Sequence, residues 1–111
     1  MSKKQVRANF RNEVFKRDNY TCQGCGRKVN SEVIEDEMDS HHITSRKDFV
    51  FGGYCKENGV TLCKTGKSPT CHEKAEAYFS ENYEKIKGYS PEELYLKIGS
   101  SLEKAKLADE K

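Results

Sequence analysis

Cys22 and Cys25 stand at C-x-x-C spacing, and Cys63 and Cys71 follow about forty residues later. Four thiolates suit a closed tetrahedral zinc site, and a C-x-x-C knuckle places two sulfurs on one ion with little loop entropy. A site of this kind obliges two distant stretches of chain to meet. The first pair lies in Cys22-Gln23-Gly24-Cys25-Gly26, whose glycines permit the sharp turn that aims backbone amides at a thiolate. The second pair departs from the usual spacing, with seven residues, KTGKSPT, between its members. That insert has loop composition and reads as an extruded loop, leaving Cys71 at the start of a helix. Cys55 is an alternative ligand to Cys63 or Cys71, and His72 is an alternative to Cys71. The opposing reading is that all five cysteines are ordinary thiols.

The rest of the chain explains why a metal staple is needed. Only 34% of the 111 residues are hydrophobic, 34% are charged, and tryptophan is absent. So small an apolar complement makes a thin core, and a small domain with a thin core needs a staple. The length fits one domain over residues 1–111. No apolar run is long enough to span a membrane, and the stretch MSKKQVRANFRNEV lacks the apolar segment of a signal peptide. The expectation is a cytoplasmic protein without membrane contact, in which thiols stay reduced and serve metals rather than disulfides.

Charge is unevenly spread. Residues 1–30 carry eight Lys/Arg against two acids, residues 31–40 five acids and no base, and residues 41–74 six Lys/Arg against three acids. A basic front half is compatible with a phosphate backbone as partner, and equally with a merely solvated surface.

Apolar spacing predicts a helix from Gln5 to Arg17, with Val6, Phe10 and Val14 on one face and Arg7 and Arg11 together on another. Glu35 to Ile43 reads as a strand ending in His41-His42-Ile43, and Val60-Thr61-Leu62 as a short second strand. From His72 a helix is predicted through HEKAEAYFSENYEKIK to Gly88, with Ala75, Phe79 and Tyr83 on one face. Ser90-Pro91-Glu92-Glu93 is a helix start: Ser90 is the N-cap, Pro91 is N1 and Glu93 completes a capping box. Leu94, Ile98, Leu102 and Ala105 continue that helix to about Ala108. It is a packing element, or else a contact for DNA or a second subunit.

Two of the three histidines are adjacent and the third follows Cys71 directly. If Cys25 and Cys71 share zinc, His72 is anchored on the first turn of a helix beside it, and the strand ending in His41-His42 should pack there. Neighbouring strand residues point to opposite faces, so one histidine can bind a metal while the other faces a substrate.

The runs CQGCG, MDSHHI, KENGVTLC and CHEKAE together resemble the HNH nuclease family, over about residues 7–80. The resemblance implies an α+β fold: a small ββα-metal, treble-clef-like core stapled by a four-cysteine zinc site, with an N-terminal helix and a C-terminal helical extension over about residues 88–108. It implies a metal-dependent DNA endonuclease using one divalent cation and a histidine base. On the family's register His42 resembles the general base, His41 takes the place where a metal-binding Asp is common, His72 resembles the second metal ligand, and Asn58 resembles the Asn that holds the loop and orients the catalytic histidine. Arg46, Lys47 and Lys74, with Arg7 and Arg11, are the candidates for DNA contacts. Two imidazoles favour transition metals, so Mn²⁺, Ni²⁺ or Co²⁺ should serve better than Mg²⁺, unless Asp39 or Glu37 supplies an oxygen ligand. The partners implied are DNA and a phage packaging or restriction protein, with the enzyme a monomer or homodimer in the cytoplasm of a bacterial host cell. The rival is a non-catalytic zinc module that binds DNA or protein, which would not need His41, His42, Asn58 and His72 together.

Overall fold

The computed structural model describes residues 2–111. Helix α1 spans Lys3–Arg17, capped by the Ser2 hydroxyl, which accepts from the Gln5 amide at 3.1 Å. Lys16 and Arg17 in its last turn favour the helix dipole. Phe10 and Val14 are buried as expected, and Phe15 joins them, whereas Val6 is only half-buried. The chain leaves α1 through Asn19 and Tyr20, both at positive φ, and the Tyr20 amide closes on the Phe15 carbonyl at 2.9 Å. That is a Schellman-type exit, which satisfies a terminal carbonyl and turns the chain into the knuckle.

The predicted strand from Glu35 is shorter than expected. Ile34–Glu37 forms one helical turn, α2, and strand β1 begins only at Met38 and ends at His42. The run Glu35-Asp36-Glu37 has poor strand propensity, and three acids in a first turn suit the positive end of a helix. Strand β2, Gly59–Cys63, pairs antiparallel with β1, with Met38 opposite Cys63, His41 opposite Val60 and His42 opposite Gly59. Helix α1 lies against this hairpin closely enough that a Cβ at Gly59 would come within 2.4 Å of the Val14 side chain and 2.7 Å of Phe10.

Helix α3, Cys71–Glu76, is capped by Thr70 with a complete capping box to Glu73, and continues as a 3₁₀ turn over Ala77–Phe79. It does not run on to Gly88. Ala75 is buried in the core, but Phe79 is 47% exposed and Tyr83 68% exposed, so the expected apolar face lacks cover beyond its first turn, and a short helix lives on packing rather than propensity. The C-terminal helix is also divided. Helix α4 spans Pro91–Lys97 with the expected Ser90–Glu93 capping box, and α5 spans Leu102–Asp109. Gly99 takes φ +68° and Ser101 caps α5 through the Lys104 amide at 3.1 Å. The segment Gly99-Ser100-Ser101 is therefore a stop followed by a start. Periodic apolar spacing across it had concealed both.

Leu62, Met38, Ile43, Val60, Leu94 and Ala105 are the centre of the apolar core. It is continuous with the buried cysteines, so core and metal centre are one cluster. Among the described residues no helix is long and apolar enough to cross a membrane.

Candidate metal centres and catalytic cleft

Cys22, Cys25, Cys63 and Cys71 present four sulfurs within 4.8 Å of one another. The knuckle aims amides at sulfur as the glycines allow: Cys22 Sγ accepts from the Cys25 amide at 3.4 Å and the Cys63 amide at 3.3 Å, and Cys63 Sγ from the Cys71 amide at 3.4 Å. Burial opposes ionisation of Cys22, but the amides of Cys25, Cys63 and Gly24 outweigh it and hold the thiol below its ordinary value. Burial pushes the Cys71 thiol the other way, up to about 12, helped by the charge of Cys22. Four sulfurs so crowded cannot all ionise unless a dication compensates them, and the donor set fits zinc. Cys55 is not part of the cluster; its thiol donates to the Ala105 carbonyl at 3.4 Å. Tyr89, which the sequence reading did not single out, closes over the cluster with its hydroxyl 3.2 Å from Cys71 Sγ. Gly24 has to be small here, because a Cβ would lie 2.8 Å from both Cys71 Sγ and that hydroxyl.

The adjacent histidines diverge. His41 is buried and turns toward α3, its ring 5.4 Å from that of His72. His42 turns toward α1, its ring 4.5 Å from Phe10 and 4.9 Å from Tyr54. On the α3 side, Glu76 follows His72 by one helical turn and places Oε1 3.0 Å from His72 Nε2 and 3.4 Å from His41 Nδ1. His41, His72 and Glu76 thus form a second cluster of donors within 4.8 Å. Asp39, two residues before His41 on the same strand face, brings Oδ2 to 3.0 Å from His72 Nε2. Hydrogen bonding to His72 and to His41 holds Asp39 and Glu76, respectively, below the usual carboxylate range. Burial opposes protonation of His72, but the two carboxylates outweigh it and raise its pKa. Two carboxylates set against two imidazoles form a place prepared for positive charge. Two nitrogens and one or two oxygens fit a divalent transition ion. Glu76 escaped the sequence reading, although its i+4 spacing from His72 was the available signal. Glu37 turns away, toward Thr65 on the loop before α3.

His42 lines a cleft of about 460 Å³ together with Asp39, His41, Glu76, Arg46 and Lys47. Burial chiefly, and then the charges of Arg46 and His41, lower the His42 pKa to about 4. Its Nε2 is buried without a hydrogen-bond partner among the described residues.

Asn58 is fully buried and acts as a clamp. Its Oδ1 accepts from the Thr44 amide at 3.0 Å and the Tyr95 hydroxyl at 2.7 Å, and its Nδ2 donates to the carbonyls of Thr44 at 3.1 Å and Gly53 at 3.2 Å. One side chain therefore ties both ends of the Thr44–Gly53 loop, which carries Arg46 and Lys47. The turn bearing Asn58 is braced in its own right: the Arg17 guanidinium donates to the carbonyls of Lys56 at 2.5 Å and Gly59 at 2.6 Å while chelated by Asp18. Neither Arg17 nor Tyr95 was expected.

The basic residues are dispersed. Arg46 and Lys47 belong to the cleft, and Arg7 lines a groove beside it. Arg11 pairs with Glu35 at 3.1 Å. Lys74 lies beside the four-cysteine cluster, its Nζ 5.3 Å from the Tyr89 ring.

A family model described as HNH endonuclease matches residues 22–77, from the first knuckle cysteine through α3. No curated protein and no solved structure gives a significant match to the chain.

Proposed function

The chain belongs to the HNH endonuclease family, and on that premise we propose that it is a metal-dependent DNA endonuclease that hydrolyses phosphodiester bonds with His42 as general base. The observation that carries this reading is that His41 and Glu76 of the His41–His72–Glu76 donor cluster line one cleft with His42, Arg46 and Lys47. Zinc on the four cysteines is structural in this reading, because all four of its positions are filled by protein.

His41, His72 and Glu76 would hold the catalytic cation, and Asp39, whose Oδ2 lies 3.0 Å from the same His72 Nε2 that faces Glu76, would add a second oxygen. The bound cation supplies Lewis-acid stabilisation of charge on the phosphate and the leaving oxygen. His42 is neutral near physiological pH, as a base must be, and takes the proton of the attacking water. Burial chiefly, and the charge of Arg46 after it, depress its basicity. A phosphate drawn to Arg46 neutralises that charge and makes His42 a better base when substrate is present. Arg46 and Lys47 hold the phosphate, and Asn58 keeps their loop in register with His42. Glu76 adds an oxygen to a site rich in imidazole. Mn²⁺, which accepts both donor types, should therefore support cleavage well and exceed Mg²⁺.

A nicking assay on supercoiled plasmid, run across divalent metals with zinc-loaded protein, tests the reading. Folded His42→Ala protein should lose at least about a hundredfold in rate, the scale of general-base catalysis. Unchanged cutting removes His42 from the role, and absence of cutting with every metal leaves the non-catalytic zinc module as the better description.

A further inference from the structure

Beside the catalytic cleft, and sharing Ser45, Arg46 and Lys47 with it, runs a groove of about 550 Å³. Lys3 and Arg7 of α1 form its far wall, and Phe51 and Tyr54 line it from the loop between the strands. Four cations line the groove and no carboxylate does. Arg46 donates to the Tyr54 hydroxyl at 2.7 Å, which stiffens the wall. Phe51, which lines the groove, and its chain neighbour Val50 stand 63% and 74% exposed. The loop that carries them is firmly anchored. Asp109 of α5 accepts from the Phe51 amide at 2.9 Å and the Gly53 amide at 2.8 Å. Phe49, just before the tip, is buried in the core, and Asn58 holds the Gly53 carbonyl. A loop under no such constraint would fold two large apolar side chains inward. Here a carboxylate and a buried phenylalanine hold them out into water, next to a track of positive charge.

Resting on the endonuclease reading, we propose that Val50 and Phe51 are an apolar wedge that unstacks a base step of duplex DNA beside the cleavage site, while Lys3, Arg7 and Arg46 hold the flanking phosphates. Charge complementarity selects the occupant: four cations without an acid suit a phosphate backbone, and an inserted apolar side chain is a known means of kinking a duplex against its stacking energy. The wedge and the phosphate track divide the work, one deforming the substrate and the other holding it.

The test uses zinc-loaded full-length protein and short duplexes carrying 2-aminopurine at successive positions. With the His42→Ala protein, which binds without relying on turnover, fluorescence should rise at one step. The doubly substituted Val50→Ser, Phe51→Ser protein in that background should bind without the rise. In the cleavage-competent background the same pair should lower kcat/KM on paired duplex roughly 10- to 100-fold, the scale of unstacking one step, and a mismatch at that step should restore it. Arg7→Gln should instead weaken binding to paired and mismatched duplex alike and reduce the salt slope by about one. Equal cutting of both duplexes by the wedge variant, or a flat fluorescence scan, overturns the proposal while leaving the nuclease reading intact. A fluorescence rise with no cleavage under any metal does the reverse. Loss of a concentration-dependent dimer in the wedge variant, with DNA binding and cutting unaltered, identifies the patch as a protein interface and overturns the wedge.

Discussion

Replacing Asn58 by alanine should unfold the protein more readily than any loss of catalytic function requires. The side chain is fully buried and makes four hydrogen bonds, two through each end of its amide. Alanine would strand the Thr44 amide, the Thr44 carbonyl and the Gly53 carbonyl. The Tyr95 hydroxyl keeps its 2.7 Å partner, Thr44 Oγ1, and is not orphaned. One buried and two half-buried groups at about 1 kcal/mol or somewhat more each give a loss of about 3–4 kcal/mol. That is a large part of the 5–15 kcal/mol typical of a folded domain. In urea, with a slope of about 2 kcal/mol/M for a small domain, the midpoint should fall by about 2 M. The measurement is equilibrium unfolding at fixed free zinc. Tyr95→Phe, which removes a single donor, should cost about 1 kcal/mol. Asn58→Asp should do no better than alanine, because it turns a carboxylate oxygen toward two carbonyls. A loss below about 1 kcal/mol for Asn58→Ala, with cleavage abolished, would refute the clamp and make Asn58 a direct participant in the chemistry.

Three further outcomes follow from the geometry. Gly59→Ala should destabilise by about 1–3 kcal/mol by thermal melting, because its Cβ would press on Val14 and Phe10 and overpacking cannot be relieved by a flexible tip. Glu76→Ala should weaken Mn²⁺ binding by about tenfold or more in calorimetry while leaving one equivalent of zinc in place, since it belongs to the second donor cluster alone. Zinc uptake by the metal-stripped protein should release protons into weak buffer, because the Cys71 thiol stands at about 12 before it is metallated; Cys71→Ser should reduce both the release and the zinc content.

What the amino-acid order revealed, and what it hid, divides by the range of the interaction. The four cysteines could be paired from spacing because a knuckle is a local device with few geometric solutions. The Ser90–Glu93 capping box was readable for the same reason. Glu35–Glu37 and Gly99–Ser101 were misread because apolar periodicity is blind to a single turn or a single break. Helix α3 was overextended because the pattern from Ala75 to Tyr83 has the right spacing, but only Ala75 meets the core while Phe79 and Tyr83 are left exposed. That Asn58 holds the loop was legible only through the family resemblance, and its Tyr95 partner was not legible at all: Tyr95 lies 37 positions away and belongs to another element. Long-range polar contacts leave no periodic trace. They depend on where the chain has already gone.

Helix α4 and the residues leading into it carry a consequence for portability. Tyr89 touches the four-cysteine cluster and Tyr95 touches Asn58, yet both lie beyond the stretch 22–77 that the family model matches. A graft of that stretch into a foreign scaffold would transfer the four cysteines, the three histidines and Asn58 while leaving behind the tyrosines that contact Cys71 and Asn58. The ligands of this centre are modular; the stiffness with which they are held is not.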